Sequence, residues 1–125
     1  MHATGTDLSE RLLDYVAHII WLVESLPNNF IGRRIGDQLL RSGTSVGANY
    51  EEAQGAESKK DFIHKLQVVL KELRESLFWM RVSLKADLVS MKAVCSLLRE
   101  GNELANIIGK SAVTSKKGTS KGRPR

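Results

Sequence analysis

The sequence predicts an all-α protein, specifically an antiparallel up-and-down four-helix bundle. Only two prolines occur, Pro27 and Pro124, so the long stretch between them lacks the residue that most often breaks a helix. Ile63, Leu66, Leu70, Leu73, Leu77, Met80 and Leu84 follow alternating spacings of three and four, the seam of a packed helix. Gly36, Gly43 and Gly47 are seven and four residues apart and fall within about 20° of one another around a helix. They lie in or beside the segment DQLLRSGTSVGANYEEA, Asp37–Ala53, and turn an apparent glycine-rich loop into a helix with a bare stripe.

Each element has its own pattern. The first helix is predicted over Leu8–Leu26, capped by Asp7 with Glu10 three residues on. Its seam is Leu8, Leu12, Tyr15, Ile19, Leu22 and Leu26, and Pro27-Asn28-Asn29 ends it. The second is predicted from Phe30 or Gly32 to Gly55, with Ile35, Leu39, Val46, Tyr50 and Ala53 on its apolar face and the glycine stripe beside them. Each interior glycine costs about 1 kcal/mol of helix propensity, so close approach of a neighbouring helix must offset it. Arg41, Ser45, Asn49 and Glu52 share the other side. The third helix is predicted from Lys59 to about Ala86, with Ser58 as cap. The fourth is predicted over Met91–Ile108, with Met91, Val94, Leu98, Gly101, Ala105 and Ile108 as seam and Gly109 as its end. The division expected is a bundle over residues 1–109 and a disordered basic tail over 110–125.

The formal net charge of +5 is unevenly placed. Lys110, Lys116, Lys117, Lys121, Arg123 and Arg125 are six of the 19 cations, and residues 110–125 hold no acid. The remaining 13 cations face all 14 acids, which leaves residues 1–109 near −1. Cys95 is the single cysteine, so no internal disulfide can form, which fits a reducing compartment. Residues 1–26 carry neither a signal-peptide pattern nor a run long enough to cross a membrane, and a cytoplasmic location is expected.

The string SGTSVGANYEEA, followed in order by AESKKDFIHKL, KELRESLFWM and the Glu100/Glu103-Leu104 segment, resembles the bacterial four-helix-bundle family of 23S rRNA intervening sequence proteins, also labelled the S23 ribosomal protein family. The resemblance covers about Leu8 to Ile108. Glu51 departs from it, standing where many members carry a basic residue. Membership implies a bundle that assembles as a homopentamer. The fold is also similar to the accessory variability protein of diversity-generating retroelements. That likeness implies, by analogy of fold alone, nucleic acid and a reverse transcriptase as partners of a basic surface.

Self-association is also expected from the third helix itself. Opposite its seam lie Val68 and Val82, with Phe78 and Trp79 about 130° away on either side. An exposed cluster of that kind marks an interface. Asn49 and Glu52, with the glycines Gly36, Gly43 and Gly47, are expected to serve helix packing and register, and Arg41 to pair with an acid of a neighbouring helix.

Catalytic and cofactor chemistry is not expected. Gly109-Lys110-Ser111 lacks the earlier glycine of a phosphate-binding loop, since position 104 is leucine. Asp61-x-x-His64 is half of a di-metal carboxylate motif with no second half, so no metal is assigned. Glu72/Glu75 and Glu100/Glu103 read as solvated pairs with Lys71, Arg74 and Arg99 nearby, and Cys95 reads as a buried, inert thiol. The cations of the tail, together with Arg33 and Arg34, form the candidate nucleic-acid-binding set. The function expected is therefore a non-enzymatic homo-oligomer that binds RNA or DNA without base-specific reading. The alternative is an oligomeric scaffold for another protein.

Overall fold

The computed structural model describes residues 5–121, and all four predicted helices are present: α1 (Gly5–Ser25), α2 (Phe30–Gln54), α3 (Lys59–Lys85) and α4 (Met91–Lys121). Asn29 and Ser58 cap α2 and α3, their side chains accepting from Gly32 N at 2.9 Å and Asp61 N at 3.0 Å. Ser90 Oγ accepts from Ala93 N at 3.2 Å at the start of α4. The turn between α3 and α4 holds Asp87 at φ 59°, a left-handed conformation that aspartate tolerates better than most residues. α1 begins at Gly5, before the expected cap, so Asp7 lies in its first turn, where an acid still complements the helix dipole.

Side-chain contacts fix the directions. Gly36, Gly43 and Gly47 face Val23, Ile19 and Val16 in turn, so α1 and α2 run antiparallel. Glu52–Lys65 and Arg41–Glu75 set α2 against α3. Leu77 lies at Gly101 and Leu70 at Gly109, which sets α3 against α4. Each helix packs on its two neighbours in a closed order, while α1 and α3 stand at opposite corners, as do α2 and α4. This is an up-and-down bundle.

Bare backbone does the work expected at the α1–α2 seam. A Cβ on Gly43 would lie 2.7 Å from Ile19 Cγ2, and one on Gly47 3.0 Å from Val16 Cγ2. Gly32 and Gly101 are equally constrained: their Cβ atoms would fall 1.9 Å from the Pro27 carbonyl oxygen and 2.7 Å from Leu77 Cδ2. The core between the helices includes Leu12, Tyr15, Ile19, Leu39, Leu73 and Met80, each almost fully buried.

Two expectations need correction. The buried face of α3 is turned toward α2 from the predicted seam. Leu66, Leu73, Leu77 and Met80 are buried, but Ile63, Leu70 and Leu84 are half-buried, and Val69, Glu72, Ser76 and Ser83 join the core. The predicted seam follows only large apolar side chains, whereas the small Ser76 and Ser83 let α3 settle closer to its partner. Second, α4 does not stop at Gly109 but continues to Lys121. Ala112 is buried and Gly118 lies beside Lys59 Nζ at the start of α3. The long α3 thus offers a surface that keeps α4 helical past a glycine, tertiary packing overriding local propensity.

Candidate nucleic-acid interface

The extension of α4 changes what its cations form. Lys92, Arg99, Lys110 and Lys117 are all exposed and fall within about 20° of one another around the helix axis. They make one ridge that runs along α4 for about 38 Å at 1.5 Å per residue. Lys116 is also exposed but lies about 100° around the helix from Lys117, off the ridge. Lys121 is the last residue of α4, and Arg123 and Arg125 lie outside the described residues. Both acids of α4 are engaged elsewhere: Arg11 on α1 holds Glu100 in two hydrogen bonds of 2.9 and 3.0 Å and Glu103 at 2.8 Å. The expected solvated pair is therefore an interhelical clamp, with its partner on α1 rather than at Arg99. In the sequence Arg99 stands out only beside Glu100 and Glu103, and Lys92 is not singled out, because a helix ended at Gly109 leaves Lys110 and Lys117 in a tail. Extending the period across that glycine would have aligned them with Lys110 and Lys117.

Arg33 and Arg34 are exposed at the start of α2, at the opposite end of the bundle from Lys116 and Lys117. The structure does not bring the two groups together. The Arg34 guanidinium stacks over the Phe30 ring at 5.6 Å, and Arg33 Nη1 donates to Asn28 Oδ1 at 3.2 Å. The groove beside them also contains Glu24 and Asp37, so this end has mixed charge. A second groove, of about 530 Å³ between α3 and α4, is lined by Arg74, Asn106 and Lys110 around an apolar floor that includes Leu70 and Val113.

Of the expected interface residues, Phe78 is 53% exposed, whereas Val68, Trp79 and Val82 are half-buried. The turn of α3 toward α2 accounts for this. The Trp79 indole N–H donates to Glu75 at 3.2 Å and its ring meets Phe78 edge-on. Large exposed apolar side chains are more numerous on α1 and α2: Leu13, Ile20, Trp21, Phe30, Ile31 and Leu40.

The other polar residues hold the bundle together. Arg41 pairs with Glu75 and, at 3.4 Å, with Glu72. Glu72 is buried, so this acid pair is not a solvated face. The Arg41 hydrogen bond holds the Glu75 carboxyl below the usual carboxylate range. Glu52 pairs with Lys65 of α3 at 2.7 Å, and Asn49 donates to Ser45 O of its own helix at 2.9 Å. At the centre, Tyr15 Oη and Ser76 Oγ share a hydrogen bond of 2.7 Å, and burial pushes the phenol up to about 12. His64 is exposed on α3, and Cys95 is half-buried rather than buried. No group of three or more potential metal ligands occurs among the described residues. None of the described helices is long and apolar enough to cross a membrane.

A family model for 23S rRNA-intervening sequence proteins matches residues 7–110. The chain belongs to the 23S rRNA-intervening sequence protein family. A crystal structure of an S23 ribosomal protein family member with unknown function, from Bacteroides thetaiotaomicron VPI-5482, superposes with a TM-score of 0.77 at 30% sequence identity. The match covers 84% of this chain and 97% of that one. Comparison with curated proteins gives no match. Lys110 is the last residue of the family match, so Lys117 extends the ridge of this 23S rRNA-intervening sequence protein beyond it.

Proposed function

We propose that this chain is a non-enzymatic, cytoplasmic, self-associating bundle, a homopentamer as the family resemblance implies, that binds RNA or DNA without reading base sequence. The α4 ridge carries the reading. Lys92, Arg99, Lys110 and Lys117 are exposed and aligned, and such a line of cations follows a phosphate backbone. The family description, which ties these proteins to 23S rRNA, favours RNA as the first ligand to test. Aromatic side chains do not alternate with the cations of the ridge, which fits backbone contact rather than base stacking.

Removal of residues 110–125 is a poor test, because Ala112 is part of the core. Neutralisation is cleaner. Lys110→Gln, Lys116→Gln and Lys117→Gln together should weaken binding to a short RNA duplex. They should also flatten the slope of log K against log salt by about 0.7–0.9 per lost phosphate contact. A wild-type protein that binds neither RNA nor DNA at low salt ends the proposal.

A further inference from the structure

The outer faces of α1 and α3 carry opposite charge. The exposed residues of α3 include Lys60, Lys71, Arg74, Arg81 and Lys85, and no acid. The exposed residues of α1 include Glu10, Asp14 and Glu24, and neither lysine nor arginine. Its one arginine, Arg11, is half-buried and taken up by Glu100 and Glu103. Each face also has an apolar centre. Trp21 on α1 is 61% exposed. On α3, Phe78 and Val82 line a shallow groove of about 480 Å³ flanked by Arg81 and Lys85.

The two faces match in height as well as in charge. Both helices run antiparallel to α2, so they are parallel to each other, and the Tyr15–Ser76 hydrogen bond gives a common level. Glu10 and Lys71 each lie five residues before that level, and Glu24 and Lys85 nine after it. Asp14 and Arg74 lie one and two residues before it, a difference of about 1.5 Å in rise. Trp21 and Val82 are both six residues after it. A second copy placed alongside, helices parallel and at equal height, therefore sets acid against base in three places and Trp21 against the Phe78–Val82 groove.

We infer that copies of this chain associate heterologously, the α1 face of one against the α3 face of the next, with Glu10, Asp14 and Glu24 opposite Lys71, Arg74 and Lys85 and with Trp21 as the apolar anchor. The inference rests on the self-association proposed above and names its surfaces. It leaves the α4 ridge uncovered. The contact joins unlike surfaces, so it repeats around a ring or along a filament rather than stopping at two copies.

The test is a charge exchange read as mass in solution by sedimentation of the full chain, with circular dichroism to confirm folding. Glu10→Lys with Asp14→Lys should raise the dissociation constant of the assembly at least about tenfold, as should Lys71→Glu with Arg74→Glu. All four substitutions in one chain should restore the wild-type mass, a rescue that damage to folding would not permit. Trp21→Ala should weaken assembly without any change of charge. An assembled wild type whose mass survives both reversals overturns the surfaces but leaves self-association standing, whereas a monomeric wild type overturns both. Loss of RNA binding at unchanged mass in the Lys71→Glu, Arg74→Glu chain makes α3 a phosphate-binding face and overturns the inference.

Discussion

At Gly43 the backbone of α2 approaches Ile19 so closely that an added Cβ would also sit 3.1 Å from Cγ1 and 3.2 Å from Cβ of that side chain. Ile19 is fully buried and, being β-branched, has little rotamer freedom in a helix. Alanine would gain about 1 kcal/mol of helix propensity, against an overpacking cost of about 1–3 kcal/mol. Gly43→Ala should therefore lower the unfolding free energy by up to about 2 kcal/mol, measured as a lower urea midpoint. Gly36→Ala should change it little, because its single contact closer than 3.4 Å is with one methyl of half-buried Val23. Gly36, Gly43 and Gly47 were legible because they obey the helical period. Gly32 was not, since its reason is the Pro27 carbonyl across a turn. Nor was the burial of Glu72, because its partner Arg41 lies on another helix.

The elements were legible wherever apolar periodicity met a local stop signal. Ser58 caps α3 as expected, and Asn29, read only as part of the stop after the first helix, also caps α2. The end of α4 was not legible, because the surface that sustains it belongs to α3. Ending the chain after Gly109 would remove the buried Ala112 and uncover the first turns of α3. The truncated protein should keep its bundle but lose on the order of 1 kcal/mol of stability, seen as a lower midpoint in thermal or urea unfolding. An unchanged midpoint would show that the last turns of α4 contribute nothing to packing. The candidate cations behave likewise. Lys110 and Lys117 were expected in a loose tail, yet the helix sets them in line with Lys92 and Arg99.

For the whole molecule, the net charge conceals a separation. Residues 1–109 are nearly neutral in sum, yet acids dominate the outer face of α1 and bases that of α3 and α4. Composition alone cannot reveal this, because the sign of each face appears only once burial has removed Glu72 and pairing has removed Glu100 and Glu103. Added salt should therefore loosen both proposed interactions, since exposed charges are screened over about 10 Å at 0.1 M. Sedimentation across a salt series should show assembly weakening less steeply than RNA binding, because Trp21 adds an apolar contribution that salt does not screen. Equal steepness would argue against an apolar anchor.

The opposite-corner placement of α1 and α3 has one more consequence. In the proposed assembly each subunit has two unlike sides, and their chemistry carries no instruction for how many should gather. That number is set by the wedge between the sides, as the taper of stones sets the span of an arch. Buried small residues such as Ser76 and Gly101, set against Tyr15 and Leu77, determine how closely the helices between those sides approach one another. A substitution there that respaces the helices and leaves the bundle folded should alter how many subunits close the circle.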